Sequence, residues 1–373
     1  ISLSEEKKEI AVIISYWARM ARIKLGWIPE FDKFITDYTV HNIFVYSIDY
    51  SAFDGNQFIC NGSDSRMVHV WDMKNKEKIQ SFNKHLGSVF CVQFSPYHHY
   101  SCRCNIICSS SNDKTIRFWD IKKGRQLQVF EHTGAVYAID FSPFNSGRYL
   151  CSGSSDKTIQ LWDVATSKLL HVFNGHTDFV RCVDISPLQS NNNNGNKSNN
   201  IGVIGGNGYT ICSGSRDKTI RTWDIETTKQ LTVFKGHADW IKSIKYGSNE
   251  LGNIGCANTI LSGSDDKSVR LWDIRYGKQI QVFNGHKDYV NAVEYAPLVI
   301  NNIGISDGSN VICSGSNDNT IRFWDIRSNR QELYIINADD QDRGIICLKF
   351  LKLKNNRIGL CYGCGSGYIR IRG

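Results

Sequence analysis

The side chains here with the chemistry for catalysis are histidines, serines and aspartates, and they recur at intervals along the chain. Gly-His pairs stand at Gly175–His176, Gly236–His237 and Gly285–His286, while His85 and His132 follow Lys84 and Glu131 instead. Beyond each lies a serine-bearing run such as YLCSGS, then an aspartate in a turn such as SDKT. One such His–Asp–Ser set would suggest a hydrolase triad, the histidine taking the proton of a nucleophilic serine. Recurrence in at least five segments argues against that chemistry, and the serine of these sets lacks a GxSxG elbow to expose its oxygen. The metal-binding alternative is equally thin. Cys102–Cys104 and Cys361–Cys364 are short pairs without a second pair and a histidine at zinc spacing. No Gly-rich phosphate loop or paired-acid motif is present, so no cofactor is expected.

The elements that carry these residues are repeats. DSRMVHVWD, NDKTIRFWD, SDKTIQLWD, RDKTIRTWD, DDKSVRLWD and NDNTIRFWD align without gaps and end at Asp72, Asp120, Asp163, Asp224, Asp273 and Asp325. Their tryptophans lie 48, 43, 61, 49 and 52 residues apart. A seventh copy, SGYIRIRG, ends at Gly373 with Arg372 where tryptophan should stand. Short β-branched and aromatic runs, apolar on both faces, alternate with Ser, Gly, Asp and Asn turns, as in sheets stacked on sheets. Cys60, Cys108, Cys151, Cys212, Cys313 and Cys361 share one place in the repeat, and Cys91, Cys182 and Cys347 another. Equivalent places one repeat apart are too distant for a disulfide, so these read as small buried hydrophobes in a reducing compartment.

On these motifs the chain resembles the WD-repeat family over roughly residues 34–373. The resemblance implies an all-β, seven-bladed propeller of four-stranded blades. Within one repeat, strand a is read at Phe179–Ser186, b at Tyr209–Ser213, c at Thr219–Asp224 and d at Gln230–Phe234. In the family the histidine bonds the strand b serine and meets the aspartate of the b–c turn, and the serine reaches the strand c tryptophan. Carried over, one set is His176, Ser213, Asp217 and Trp223, and another is His237, Ser262, Asp266 and Trp272. These are structural sets that pin a loop to two strands.

The last repeat ends at its strand c and needs an outer strand. HNIFVYSIDYS at 41–51 aligns with HTDFVRCVDIS at 176–186, placing His41 at the repeat histidine. Residues 34–38 then fall at a strand d position with no earlier blade, and pairing them with Tyr368–Arg372 would leave no open sheet edge. The closing blade is degenerate, with Gln341 in the histidine place, and the first blade carries Ser65 at the aspartate place. Residues 1–33 read as an amphipathic helix over 2–25 and its lead-in, with Ile10, Ile13, Ile14, Trp17 and Ala21 in one stripe. It packs on its own propeller or on a partner, a second copy included. The Asn-rich stretch 186–208 and shorter insertions at 246–258 and 298–310 are expanded a–b loops on one face.

The opposite, short-loop face is the expected binding surface, as the family implies. Phe44, Phe179, Trp240 and Tyr289 open strand a in four blades, and Asn112, Ser155, Arg216, Asp265 and Asn317 come from the b–c turns. Aromatic residues and arginine there match the composition of interface hot spots. W-D-x-R at Trp272–Arg275 and Trp324–Arg327 resembles substrate receptors of cullin-type ubiquitin ligases, in which that arginine (Arg275 and Arg327 here) faces the adaptor. The balance of 44 basic and 36 acidic residues, +8 overall, is too diffuse to point to nucleic acid. No apolar run is long enough to span a membrane. The sequence thus predicts a non-enzymatic scaffold for protein or peptide partners, cytoplasmic with a nuclear site left open.

Overall fold

The four runs of each repeat have the β-branched and aromatic content of strands and are joined by turns too short for any crossover, so they pair as a meander. The computed structural model describes residues 34–39, 43–51, 57–186, 209–247, 258–297, 300–301, 304–305, 310–327, 332–353 and 357–373. In it, Val180–Ile185, Thr210–Ser215, Thr219–Asp224 and Gln230–Lys235 form strands a to d of one antiparallel sheet. Six such sheets follow in chain order, over 45–82, 89–131, 136–174, 180–235, 241–284 and 290–337. They are blades 1 to 6.

The seventh blade is assembled from both ends of the described chain. Ile345–Lys352, Ile358–Cys364 and Tyr368–Arg372 supply strands a to c. Phe34–Thr39 is the fourth, antiparallel to Tyr368–Arg372, with Phe34 opposite Arg372 and Thr39 opposite Tyr368. The result is a closed seven-bladed β-propeller. Strand boundaries differ from the sequence reading by one or two residues: strand b of blade 4 runs two residues beyond Ser213, because ladder pairing continues to Ser215 opposite Val180. One element was not anticipated. Pro96–Cys102 forms α1 in the a–b connection of blade 2, with proline in its first turn and Arg103 ending it in a left-handed conformation. The sequence helix over 2–25, His41 and most of the Asn-rich stretch lie outside the described residues.

A blade cannot bury either face alone, and two kinds of contact recur between neighbouring blades. The first is aromatic. The strand c tryptophan meets the strand d aromatic of the preceding blade: Phe82–Trp119 at 4.9 Å between ring centroids, Phe130–Trp162 at 4.8 Å, Phe173–Trp223 at 6.0 Å, Phe234–Trp272 at 5.8 Å and Phe283–Trp324 at 5.6 Å. At the closure Tyr38 takes the phenylalanine's part, its ring 5.1 Å from that of Trp71. The second is a close approach. The glycine of strand b faces the first aliphatic residue of the next strand a, as in Gly62 with Val89, Gly214 with Ile241 and Gly363 with Val45. A Cβ there would fall 2.6 to 2.7 Å from a branched methyl. Blade 2 carries Ser110 instead, fully buried, and its hydroxyl finds no hydrogen-bond partner.

Four substitutions test this packing by chemical denaturation. Gly214→Ala forces Ile241 aside and should destabilise by about 1–3 kcal/mol. Ser110→Ala removes an unsatisfied hydroxyl and should stabilise by about 1 kcal/mol. Tyr38→Ala opens the closure and should cost about 3–5 kcal/mol, whereas Tyr38→Phe, which deletes another buried hydroxyl without a partner, should be neutral or stabilising.

Candidate functional site

The recurring histidine sets were the first candidates for chemistry, and five blades contain one. His176 Nδ1 lies 2.8 Å from Asp217 Oδ2, His176 Nε2 lies 2.8 Å from Ser213 Oγ, and Trp223 Nε1 donates to the same oxygen at 2.8 Å. His237, Asp266, Ser262 and Trp272 repeat this at 2.7, 2.7 and 2.8 Å. Equivalent sets centre on His85, His132 and His286. The hydrogen inventory assigns one consistent order: indole N–H to serine, serine O–H to Nε2, Nδ1–H to aspartate. Ser213 and Ser262 are wholly buried, so their oxygens face an indole and an imidazole and not a substrate. Asp217 also accepts the Thr177 amide and the Thr219 amide and hydroxyl. The set fastens the d–a loop to strands b and c.

Burial lowers the pKa of His85, His176 and His237 against the opposing pull of their aspartates. Asp113, Asp156, Asp217, Asp266 and Asp318 are held well below the usual carboxylate range, since histidine and turn hydrogen bonds outweigh their burial. The degenerate blades make substitute links. In blade 1, Trp71 Nε1 donates to Asn61 Oδ1 at 2.8 Å. In blade 7 Arg372 Nε donates to the Tyr362 hydroxyl at 3.1 Å, the places of tryptophan and serine, and buried Asp342 accepts from Arg370 Nε at 2.8 Å. Losing the histidine set does not leave the closing blade unlinked.

The short-loop face is assembled by one backbone bond per blade, from the b–c turn to the residue that opens strand a: Asp64 N to Phe44 O, Asn112 N to Ser88 O, Ser155 N to Ala135 O, Arg216 N to Phe179 O, Asp265 N to Trp240 O, Asn317 N to Tyr289 O and Gly365 N to Gly344 O, at 2.8 to 3.1 Å. This brings the nine sequence candidates onto one rim. Phe44 and Tyr289 are 45% and 40% exposed. Phe179 and Trp240 are half-buried and flank the Arg216 guanidinium, whose carbon lies 5.4 and 3.8 Å from their ring centroids. Asn112 is exposed, and Ser155 and Asn317 are half-buried. Asp265 departs from the expectation of an exposed contact residue. It is 7% exposed and paired with Lys242 Nζ at 3.0 Å, because Lys242 projects from the neighbouring strand a beneath it.

Sequence reading missed the inner ring. The residue after each buried aliphatic of strand a points to the central channel: Tyr46, Phe90, Tyr137, Arg181, Lys242, Asn291 and Ile346 in blades 1 to 7. Period-2 alternation from Val45, Val89 and Val136 could have found them. Tyr46–Phe90 and Phe90–Tyr137 centroids are 5.2 and 4.8 Å apart, and the Arg181 guanidinium lies 4.1 Å from the Tyr137 ring. Deeper, a charged tier crosses the same channel, comprising Asp49, Asp140, Asp184, Lys245, Glu294 and Lys349. Lys349 pairs with Asp49 at 3.5 Å and Lys245 with Asp184 at 3.3 Å. Asp140 has no cation of its own, and burial with the adjacent Asp184 charge pushes it up to about 7. These aspartates also staple blades: Asp49 accepts the Phe94 amide at 2.8 Å, Asp140 the Ile185 amide at 2.9 Å and Asp184 the Tyr246 amide at 2.7 Å.

Arg275 and Arg327 lie on the other face, in the c–d turns of adjacent blades. Both are exposed, and the Arg275 side chain reaches back to Asp273 at 3.4 Å. Among the described residues no cluster of His, Cys, Asp and Glu could hold a metal, and no helix is long and apolar enough to cross a membrane. The described cysteines are all unpaired; Cys91 and Cys347 are only part-buried and line the channel.

The family model "WD domain, G-beta repeat" matches residues 76–120, 124–163, 167–224, 228–273 and 277–325. Among curated proteins, the chain is 46% identical over 39 residues to a Lissencephaly-1 homolog of Heterostelium pallidum (10% of this chain, 9% of that protein). It is 31% identical over 74 residues to a nuclear distribution protein of Postia placenta (20% and 17%), and 35% identical over 40 residues to a U3 snoRNP-associated protein-like relative of Oryza sativa subsp. japonica (11% and 8%). The matches span no more than 17% of the length of these relatives.

Two pH experiments follow. In the His85, His176 and His237 sets both partners bind fewer protons folded than unfolded, so their stability is present above the unfolded pKa values and lost as pH falls. Melting temperature should therefore drop from about pH 6.5 downward and steepen near pH 4, and Ser262→Ala should cost about 1–3 kcal/mol at neutral pH. Asp140 has the opposite sign. Its raised folded pKa gives a contribution present below the unfolded value and lost as pH rises through about 7. Asp140→Asn should thus gain more stability relative to the parent at pH 8 than at pH 5, read by thermal melts at both.

Proposed function

The chain belongs to the WD40-repeat family, and on that footing we propose that it is a non-catalytic scaffold whose short-loop face captures a protein or peptide partner. One observation carries this reading. Aromatic rings and cations form a nearly continuous arc from Phe44 through Tyr46, Phe90, Tyr137 and Phe179 to Trp240, with Arg181 and Arg216 lying against it. The fold does not need these side chains: the blades are joined by the buried tryptophans and the glycine contacts beneath them. Partly exposed aromatics with arginine are the composition of interface hot spots, and a rigid closed ring presents them with little ordering cost. Burial of the histidine-set serines supports a non-catalytic role, and unpaired buried cysteines support a reducing compartment.

The test is affinity capture compared across variants. Trp240→Ala with Arg216→Ala should weaken partner binding at least about tenfold while the melting temperature stays near that of the parent. Arg275→Ala with Arg327→Ala, on the opposite face, should retain the same partners. The reverse pattern, with a ligase adaptor among the proteins lost, would move the interface to the c–d turns and favour a ubiquitin-ligase substrate receptor.

A further inference from the structure

The seven inner-ring positions are equivalent by topology yet sorted by chemistry. Tyr46, Phe90 and Tyr137 wall one half of the channel mouth, and Arg181, Lys242 and Asn291 face them. The two cations are not alike. Lys242 is committed, paired with Asp265 at 3.0 Å and bonded to Asn291 Oδ1 at 3.2 Å. Arg216 on the rim likewise has Asp178 at 3.6 Å. The Arg181 guanidinium carbon lies 4.1 Å from the Tyr137 ring centroid, with no carboxylate in ion-pair contact among the described residues. A guanidinium held on an aromatic face keeps its edge N–H groups free and pre-oriented for an incoming anion. The recess in front of it holds about 260 Å³, below the roughly 300–1,000 Å³ of sites that enclose a whole small ligand.

Resting on the short-loop-face reading above, we propose that this mouth recognises a peptide segment presenting one carboxylate to Arg181 beside an apolar or aromatic side chain on the Tyr46–Phe90–Tyr137 wall. Charge decides between anions. Of the two cations lining the recess, Arg181 and Lys242, the second is already paired with Asp265, so one available cation matches a singly charged Asp or Glu, and a phosphate dianion would find no second one inside the recess. The deeper tier, four acids against two lysines (Asp49, Asp140, Asp184 and Glu294 with Lys245 and Lys349), excludes a polyanion from the channel and disfavours a nucleic-acid strand, which binds through several phosphate contacts. Arg–carboxylate bonding is bidentate and directional, so the mouth discriminates glutamate from glutamine by charge as well as by shape.

The whole chain is tested by fluorescence anisotropy against pools of short capped peptides centred on Phe-Glu, Phe-Gln, Ala-Glu or Phe-phosphoserine, and against oligouridine. The Phe-Glu pool should bind best, with about tenfold loss on Glu→Gln, equal to about 1.4 kcal/mol, and a similar loss with Arg181→Gln. Arg181→Lys should recover part of it, and melts should match the parent for both variants. Equal binding of Phe-Glu and Phe-Gln, no effect of Arg181→Gln, tighter binding of phosphoserine or oligouridine, or no binding of any pool would overturn the proposal. If partner capture still depends on Trp240 and Arg216 in those cases, the short-loop-face reading survives without the carboxylate.

Discussion

Every blade of this propeller is a sheet with two apolar faces and two raw edges, and none of that can be satisfied by the blade itself. Stacking answers the faces and closure answers the ends, so the ring is stable only as a whole. The contacts that enforce this are few and repeated. An indole lies on the previous blade's aromatic ring, and a glycine admits the next blade's branched side chain to a distance that no Cβ would allow. Where the sequence departs from the repeat, other chemistry takes over: Tyr38 replaces phenylalanine at Trp71 between blades 7 and 1, and within blade 7 Arg372 with Tyr362 replaces tryptophan with serine.

The same constraint separates structure from function. Positions that hold blades together are buried and repeat with little change, and the buried histidine sets belong with them. Positions pointing into the channel are released from packing, and there the seven blades diverge into aromatic, cationic, amide and aliphatic residues. Divergence among topologically equivalent sites is where a partner can be encoded, because substitution there leaves the inter-blade joints intact.

Blade number, strand order and the histidine sets were legible in the sequence because each is written several times over, and a signal repeated at a fixed period survives local irregularity. The partnership of Phe34–Thr39 with Tyr368–Arg372 was legible from counting strands, since one blade lacked its fourth. Single-copy features were less accessible. α1 has no periodic pattern across its seven residues, the burial of Asp265 depends on Lys242 reaching it from the neighbouring strand, and the Asp342–Arg370 link joins residues 28 apart with no counterpart elsewhere. The inner channel ring was missed for a different reason. Strands apolar on both faces conceal their alternation, so the channel-facing residue does not stand out by polarity.

The composite last blade has a consequence for synthesis. Thr39 and Tyr368 are ladder partners, and all of blades 1 to 6 lies between them. A ribosome adding roughly 5–20 residues per second needs on the order of 15–65 s to cover that interval. For that time the early strand has no mate, and the partly built arc presents an unfinished rim to the cell. The ring can therefore close only after Tyr368–Arg372 has emerged, and until then Phe34–Thr39 keeps an unpaired edge.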